Sequence, residues 1–174
     1  MSESTPIQPV TSDELLECLK ALGIAATTFE HPPVMTVEES QMMRGDIEGA
    51  HAKNLFLKDK KQNLWLVVAV ESHAVDLKAL RPLIGSAGLS FGRAELLFDV
   101  LGVTPGSVTP FAVVNDTLGK VTVVLDKDLV GGNKVNFHPL INTRTTTLDG
   151  AGLLAFLKAQ NHDPIIVDFK DSTA

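Results

Sequence analysis

The chain reads as an α/β fold of the α+β kind, a mixed and mainly antiparallel sheet surrounded by helices. Three observations predict it. Apolar, β-rich segments at residues 52–58 and 64–70 are separated only by Asp59-Lys60-Lys61-Gln62-Asn63, the spacing of a hairpin. Further strand-like runs are interspersed with helical-period stretches without the regular alternation of a parallel βαβ sheet. A length of 174 residues with 44% hydrophobic residues suits one compact domain with a sizeable core.

The elements follow in order. Residues 1–10 read as a flexible N-terminus. Thr11-Ser12-Asp13-Glu14 has capping-box spacing, and Leu15, Leu16, Leu19 and Leu22 recur at helical intervals until Gly23 offers a stop. Alternation over residues 24–30 predicts a strand ended by His31-Pro32-Pro33, and Thr36-Val37-Glu38-Glu39 repeats the capping pattern before a short helix toward Met43. Gly45 and Gly49 bracket a loop, and the hairpin comes next. Residues 75–80 and 93–98 show helical spacing, and strands are expected at residues 111–115 and 121–125 around the turn residues Asn115, Asp116 and Gly119. A strand at residues 143–148, a helix capped by Asp149 through Leu153, Leu154 and Leu157, and a strand at residues 165–169 close the chain.

Composition removes several function classes. The formal charge of −6 argues against coating nucleic acid by charge alone, and DNA is not an expected partner, yet a protein touching one end of an RNA remains compatible. No stretch approaches the ~20 apolar residues that span a bilayer, so no membrane association is expected. Residues 1–10 lack the features of a signal peptide and Cys18 is the only cysteine, which together predict a cytoplasmic protein. His51, His73 and His162 show no metal-ligand spacing, so neither metal nor cofactor is expected. Ser107 lacks a GxSxG elbow, Cys18 falls within an amphipathic helix, and GxxxxGK[ST] and GxGxxG loops are absent.

Three separated pieces remain as one candidate site. Lys53-Asn54 opens an apolar strand on which Lys53, Leu55 and Leu57 share one face while Asn54, Phe56 and Lys58 share the other. The lysine either extends its amine to water or meets an anion or a polarised carbonyl. In Gly106-Ser107-Val108-Thr109-Pro110 the glycine and proline make either a plain turn or a cradle of N–H donors suited to an oxyanion. In Asn136-Phe137-His138-Pro139 the proline restricts the backbone around a histidine that is either satisfied internally or in contact with a ligand. His31, also before a proline, reads as structural.

On these residues the sequence resembles the editing deacylases related to the insertion domain of prolyl-tRNA synthetase (YbaK, ProX and PrdX). The resemblance runs from Leu15 to Phe169 through Lys53-Asn54-Leu55-Phe56-Leu57 with Lys58-Asp59, the GxxxP stretch at residues 106–110, and Asn136-Phe137-His138-Pro139-Leu140 followed by Asn142-Thr143. Leu89-Ser90-Phe91-Gly92 and Ser107-Val108-Thr109-Pro110-Phe111 resemble the freestanding ProXp-ala branch, which hydrolyses alanine mischarged on proline tRNA. The resemblance implies a single editing domain over residues 11–170 and cleavage of an aminoacyl ester without a protein nucleophile or metal. It implies catalytic roles for Lys53, Gly106 and His138 and substrate binding by Asn54, Ser107, Pro110 and Asn136. The implied partner is the acceptor end of mischarged tRNA(Pro), with transient contact to prolyl-tRNA synthetase, and Lys53, Lys58, Lys60, Lys61 and Arg144 are candidate phosphate contacts. Deacylation of Cys-tRNA(Pro) and a non-catalytic tRNA- or amino-acid-binding module are the alternatives.

Overall fold

The computed structural model describes residues 9–32, 49–131 and 133–169; the expected helix after Thr36 lies outside them. Helix α1 (Ser12–Ala21) begins at the predicted capping box: Thr11 accepts from the Glu14 N–H and the Glu14 carboxylate accepts from the Thr11 N–H. Its apolar stripe buries Leu15 and Leu19, each contributing about 1.5–3 kcal/mol of transfer free energy. Strand β1 (Ala26–Glu30) follows, then β2 (Ala50–Asp59) and β3 (Leu64–Val70), which form the predicted hairpin. Asp59 organises that turn, accepting the Lys61 and Asn63 N–H groups on Oδ1 and the Trp65 indole N–H on Oδ2. Burial pushes its carboxyl up, but the bonds from Asn63, Trp65 and Ala87 outweigh burial and hold it below the usual carboxylate range.

After the hairpin come α2 (Leu77–Ile84), β4 (Leu89–Phe91) and α3 (Ala94–Leu101). Two 3₁₀ turns (Pro105–Ser107 and Pro110–Asn115) lead into β5 (Val121–Asp126). Residues 111–115 are therefore not the expected strand. Pro110 occupies the first helical turn and the Thr109 hydroxyl accepts from the Phe111 N–H. A short apolar run buried on all sides carries no period that separates the two conformations. A third 3₁₀ turn (Lys127–Leu129), β6 (Lys134–Phe137), β7 (Arg144–Asp149), α4 (Gly150–Ala159) and β8 (Ile165–Val167) complete the described chain. Asp149 caps α4 as expected, through the Gly152 N–H.

One sheet of eight strands runs β1, β7, β6, β2, β3, β5, β8, with β4 against β2. The pairs β1/β7, β6/β7, β2/β3 and β2/β4 are antiparallel, whereas β2/β6, β3/β5 and β5/β8 are parallel. Central β3 is buried on both faces. Its Leu66 and Val68 join the larger core with residues of α1, α3 and α4, while Trp65, Val67 and Ala69 join a smaller one under Leu80 and Ile84 of α2. The sheet is thus a middle layer between helices.

What positions the site is an interruption beside β2. Its start pairs with β6 (Ala50 with Val135, His51 with Asn136) and its end, on the same edge, with β4 (Leu57 with Phe91 through Asp59 with Leu89). Between these, at residues 52–56, no described strand is registered against that edge. The Asp59 N–H donates to Asn63 and the His51 carbonyl accepts from Glu71, so odd-numbered backbone groups of β2 face β3 and even-numbered ones face the fork. Phe56 accepts there from the Gly92 N–H, and Asn54 directs its backbone polar groups into the opening.

Candidate active site

Strand register sorts the candidate residues onto faces. Directly paired residues project to the same side, so Ala50 and Val135 face the larger core while His51 and Asn136 face the other way. Alternation then places Lys53 with His51, and His138 with Asn136. Lys53 and His138 therefore project to the same face beside the fork. Asn54 lies on the opposite face with Phe56, the side on which the stretch after Gly106 packs through Val108 and Phe111.

Lys53 is partly buried, and its amine makes no hydrogen bond or ion pair with any described residue. That leaves a cation able to meet an anionic or polarised ligand. The Oδ1 of Asn54 is buried without a hydrogen-bond partner among the described residues. An orphaned buried acceptor is costly unless a ligand donor or water satisfies it, which marks the position as unfinished by the protein itself.

His138 is defined by one bond. Its Nδ1–H donates to the Arg144 carbonyl at 2.8 Å, which sets the tautomer and leaves Nε2 as the acceptor, with no partner among the described residues. Burial, the largest influence, lowers its pKa below 6.5; the Arg144 carbonyl opposes this and the neighbouring His31 reinforces it. The ring is therefore neutral at pH 7 and able to take a proton or accept a hydrogen bond.

The other predicted residues behave differently. Asn136 is 4% exposed, its Nδ2 donates to the Ala50 carbonyl at 3.2 Å, and its Oδ1 accepts from the Thr147 hydroxyl. This clamp ties the start of β2 to β6 and β7. Ser107 is buried and its N–H donates to Thr104 at 2.8 Å, so that donor is already engaged in the turn and does not serve the expected oxyanion cradle. Pro110 is buried at the head of the second 3₁₀ turn. Gly106 needs no left-handed backbone; a Cβ there would meet only the Asn142 amide, at 3.6 Å. Its missing side chain keeps space beside the β6–β7 connection, where Asn142 lies.

Arg144 is not an available phosphate contact. It bonds Asp13 at 2.7 Å and Glu30 at 3.4 Å, and the Asp13 hydrogen bond, with both carboxylates' charge, raises its pKa. Lys60 and Lys61 are exposed at the hairpin tip, as a solvated turn requires. Sequence reasoning undervalued His31, whose ring centroid lies 6.2 Å from that of His138. The one signal for it was the shared His-Pro pattern. It also saw no grouping around His73, yet His73, Asp126 and Asp128 bring ligand-type atoms within 4.8 Å of one another, because residues 73 and 126 meet only through the β3/β5 pairing.

Comparison with known proteins identifies the family. The family described as the aminoacyl-tRNA editing domain matches residues 31–156. The prolyl-tRNA synthetase associated domain-containing protein 1 of Danio rerio is 40% identical over 158 residues, covering 90% of this chain and 86% of that protein. The prolyl-tRNA editing protein ProX of Acetoanaerobium sticklandii is 42% identical over 147 residues, covering 83% and 88%. Among solved structures, a candidate trans-editing enzyme for prolyl tRNA synthetase superposes with a TM-score of 0.70 at 21% identity, covering 92% of this chain and 98% of that one, a likeness of fold. By its sequence, its fold and its close relatives, this chain belongs to the aminoacyl-tRNA editing domain family.

Proposed function

We propose that this chain is a trans-editing hydrolase that deacylates mischarged Ala-tRNA(Pro), releasing alanine and free tRNA. The observation that supports it most is the fork beside β2, where, among the described residues, Lys53 and His138 share one face with the lysine amine and the imidazole Nε2 unpartnered, the buried Asn54 Oδ1 is left over on the other face, and none of these groups is a nucleophile paired with a base. Such a site favours positioning over covalent catalysis. Water adds to the ester carbonyl carbon, the bond to the ribose 3′-oxygen breaks, and a proton reaches that oxygen as it leaves. The neighbouring 2′-hydroxyl assists the attacking water.

In this reading Lys53 holds the terminal nucleotide and stabilises charge developing on the ester. The His138 Nε2 accepts a hydrogen bond from water or hydroxyl, and Asn54 Oδ1 accepts from the substrate's ammonium or ribose hydroxyl. Gly106, Ser107 and Pro110 shape the amino-acid pocket, whose size admits alanine and excludes proline's ring, and Asn136 supports it. Residues 11–170 act as one editing unit, in the cytoplasm, on the acceptor end of tRNA(Pro), with transient contact to the synthetase. The names of the ProX and synthetase-associated relatives favour this tRNA over others.

The test is incubation of purified protein with tRNA(Pro) charged with alanine, cysteine, serine or proline, following release of the amino acid. Rapid loss of alanine with slow loss of proline is expected, and replacing the terminal 2′-hydroxyl by hydrogen removes most activity. Equal rates for alanine and proline overturn the size filter. Preferential cleavage of the cysteine ester reassigns the substrate, and tRNA binding without any turnover makes the chain a binding module.

A further inference from the structure

His31 lies outside the set of residues that the sequence assigned to the site. Its backbone N–H donates to the Thr143 carbonyl at 2.9 Å, Nδ1 bonds the Pro32 carbonyl at 2.9 Å, and Nε2 bonds the Thr145 hydroxyl at 2.7 Å. Thr145 is 8% exposed and directly follows Arg144, whose carbonyl holds His138. Two consecutive residues of β7 thus bracket both rings, one through its carbonyl and one through its side chain. With a carbonyl against Nδ1, neutral His31 accepts from Thr145 through Nε2. Because a hydroxyl both donates and accepts, Thr145 retains the ring when His31 is protonated.

We propose that His31 is a positioning residue for the reaction at His138, a second imidazole locked 6.2 Å away that discourages protonation of the Nε2 the substrate needs and limits the tilt of the ring. This inference rests on the deacylase reading of the site. Two imidazoliums so close repel, so a charge on His31 disfavours a charge on His138, in the direction already found for that ring. The charged neighbours do not reverse the pairing. Lys53 projects from β2 to the same face without figuring among the influences on His138, while Glu30 on β1 and Asp13 on α1 are both engaged by Arg144 of β7. Nothing in the motif spacing announces this role, since residues 31 and 138 meet only because β1 and β6 flank β7.

The experiment compares the unaltered protein with His31→Gln and Thr145→Val. Single-turnover deacylation of Ala-tRNA(Pro) is measured from pH 5 to 9, and His138 is titrated by NMR without substrate. For His31→Gln the His138 midpoint is expected to move up, and the rate to fall about twofold near pH 6 with little change at pH 8, where the ring is neutral in either protein. Thr145→Val, which releases the His31 ring while keeping the imidazole, should show a smaller change in the same direction. An unmoved midpoint in folded His31→Gln, or a rate reduced by one factor at every pH, overturns the proposal, the second outcome marking His31 as merely structural. Should His31→Gln not fold, Thr145→Val decides by the same two readouts. Because the NMR titration needs no turnover, an unaltered protein with no activity on any charged tRNA refutes the deacylase reading while the His31–His138 coupling is still read.

Discussion

Two histidines of this chain have opposite surroundings. His162, after α4, is 5% exposed; its Nδ1 donates to the Gln160 carbonyl at 2.6 Å and its Nε2 pairs with Asp116 at 2.9 Å. Asp116 in turn accepts the Lys120 and Val121 N–H groups, which stitches the end of α4 to the start of β5. His138, at the end of β6, has one nitrogen held and the other unengaged. A histidine whose hydrogen-bonding capacity is exhausted by the protein has a structural task, and one held at a single nitrogen beside an opening has capacity left for a ligand. The same contrast separates Asn136, whose amide is used up in clamping β2 to β6 and β7, from Asn54, whose Oδ1 is left over.

That contrast breaks if the site histidine proves replaceable. His138→Ala and Lys53→Ala should each lower single-turnover deacylation on the order of 100-fold or more while thermal unfolding stays near that of the parent, because a positioned proton acceptor and a positioned cation are lost but little core is. Near-normal turnover by either folded variant would falsify the assignment. The converse is His162→Ala, which leaves the buried Asp116 carboxylate with only its two backbone N–H donors and should cost roughly 1–3 kcal/mol of stability. Denaturant unfolding reads the loss, and the rate per folded molecule should be unchanged; a specific loss of rate would move His162 into the site.

A pH series sharpens the comparison. His138 has its folded pKa depressed below the unfolded 6.5. Above pH 6.5 the ring is neutral in both states and carries no penalty. As pH falls through the depressed value the unfolded chain binds the proton more readily, so stability drops. Activity should follow the same neutral form, with an acid limb below pH 6.5 that His138→Ala abolishes. An acid limb persisting in that variant assigns it to another group. The smallest effect is expected at Cys18, partly buried in α1: Cys18→Ala should retain the parental rate, and loss of turnover would point to a thiol nucleophile.

Elements with a strong local code were legible from sequence. The capping box at Thr11 and Glu14, the hairpin around Asp59 and the Asp149 cap are set by neighbours within a few residues. Residues 111–115 were misread because Phe111, Ala112 and Val113 are consecutively buried, which erases periodicity. β4 and β6 went unnoticed because strands of three and four residues carry little pattern of their own and exist through pairing with β2 and β7.

From sequence alone, the residue types of the site follow: a lysine and asparagine opening an apolar strand, a glycine-proline turn and a histidine before proline, in a chain that offers no activated nucleophile. Those are properties of side chains and short spacings. The tertiary structure decided how they are arranged. The parallel register of β2 with β6 puts Lys53 and His138 on one face, the split between β6 and β4 opens the edge at Asn54, and β7 brings His31 against His138. The β2/β4 pairing joins residues 30 to 34 apart, β2/β6 residues 85 apart and β1/β7 residues 114 to 122 apart, and a local pattern carries no record of which strand its edge will meet.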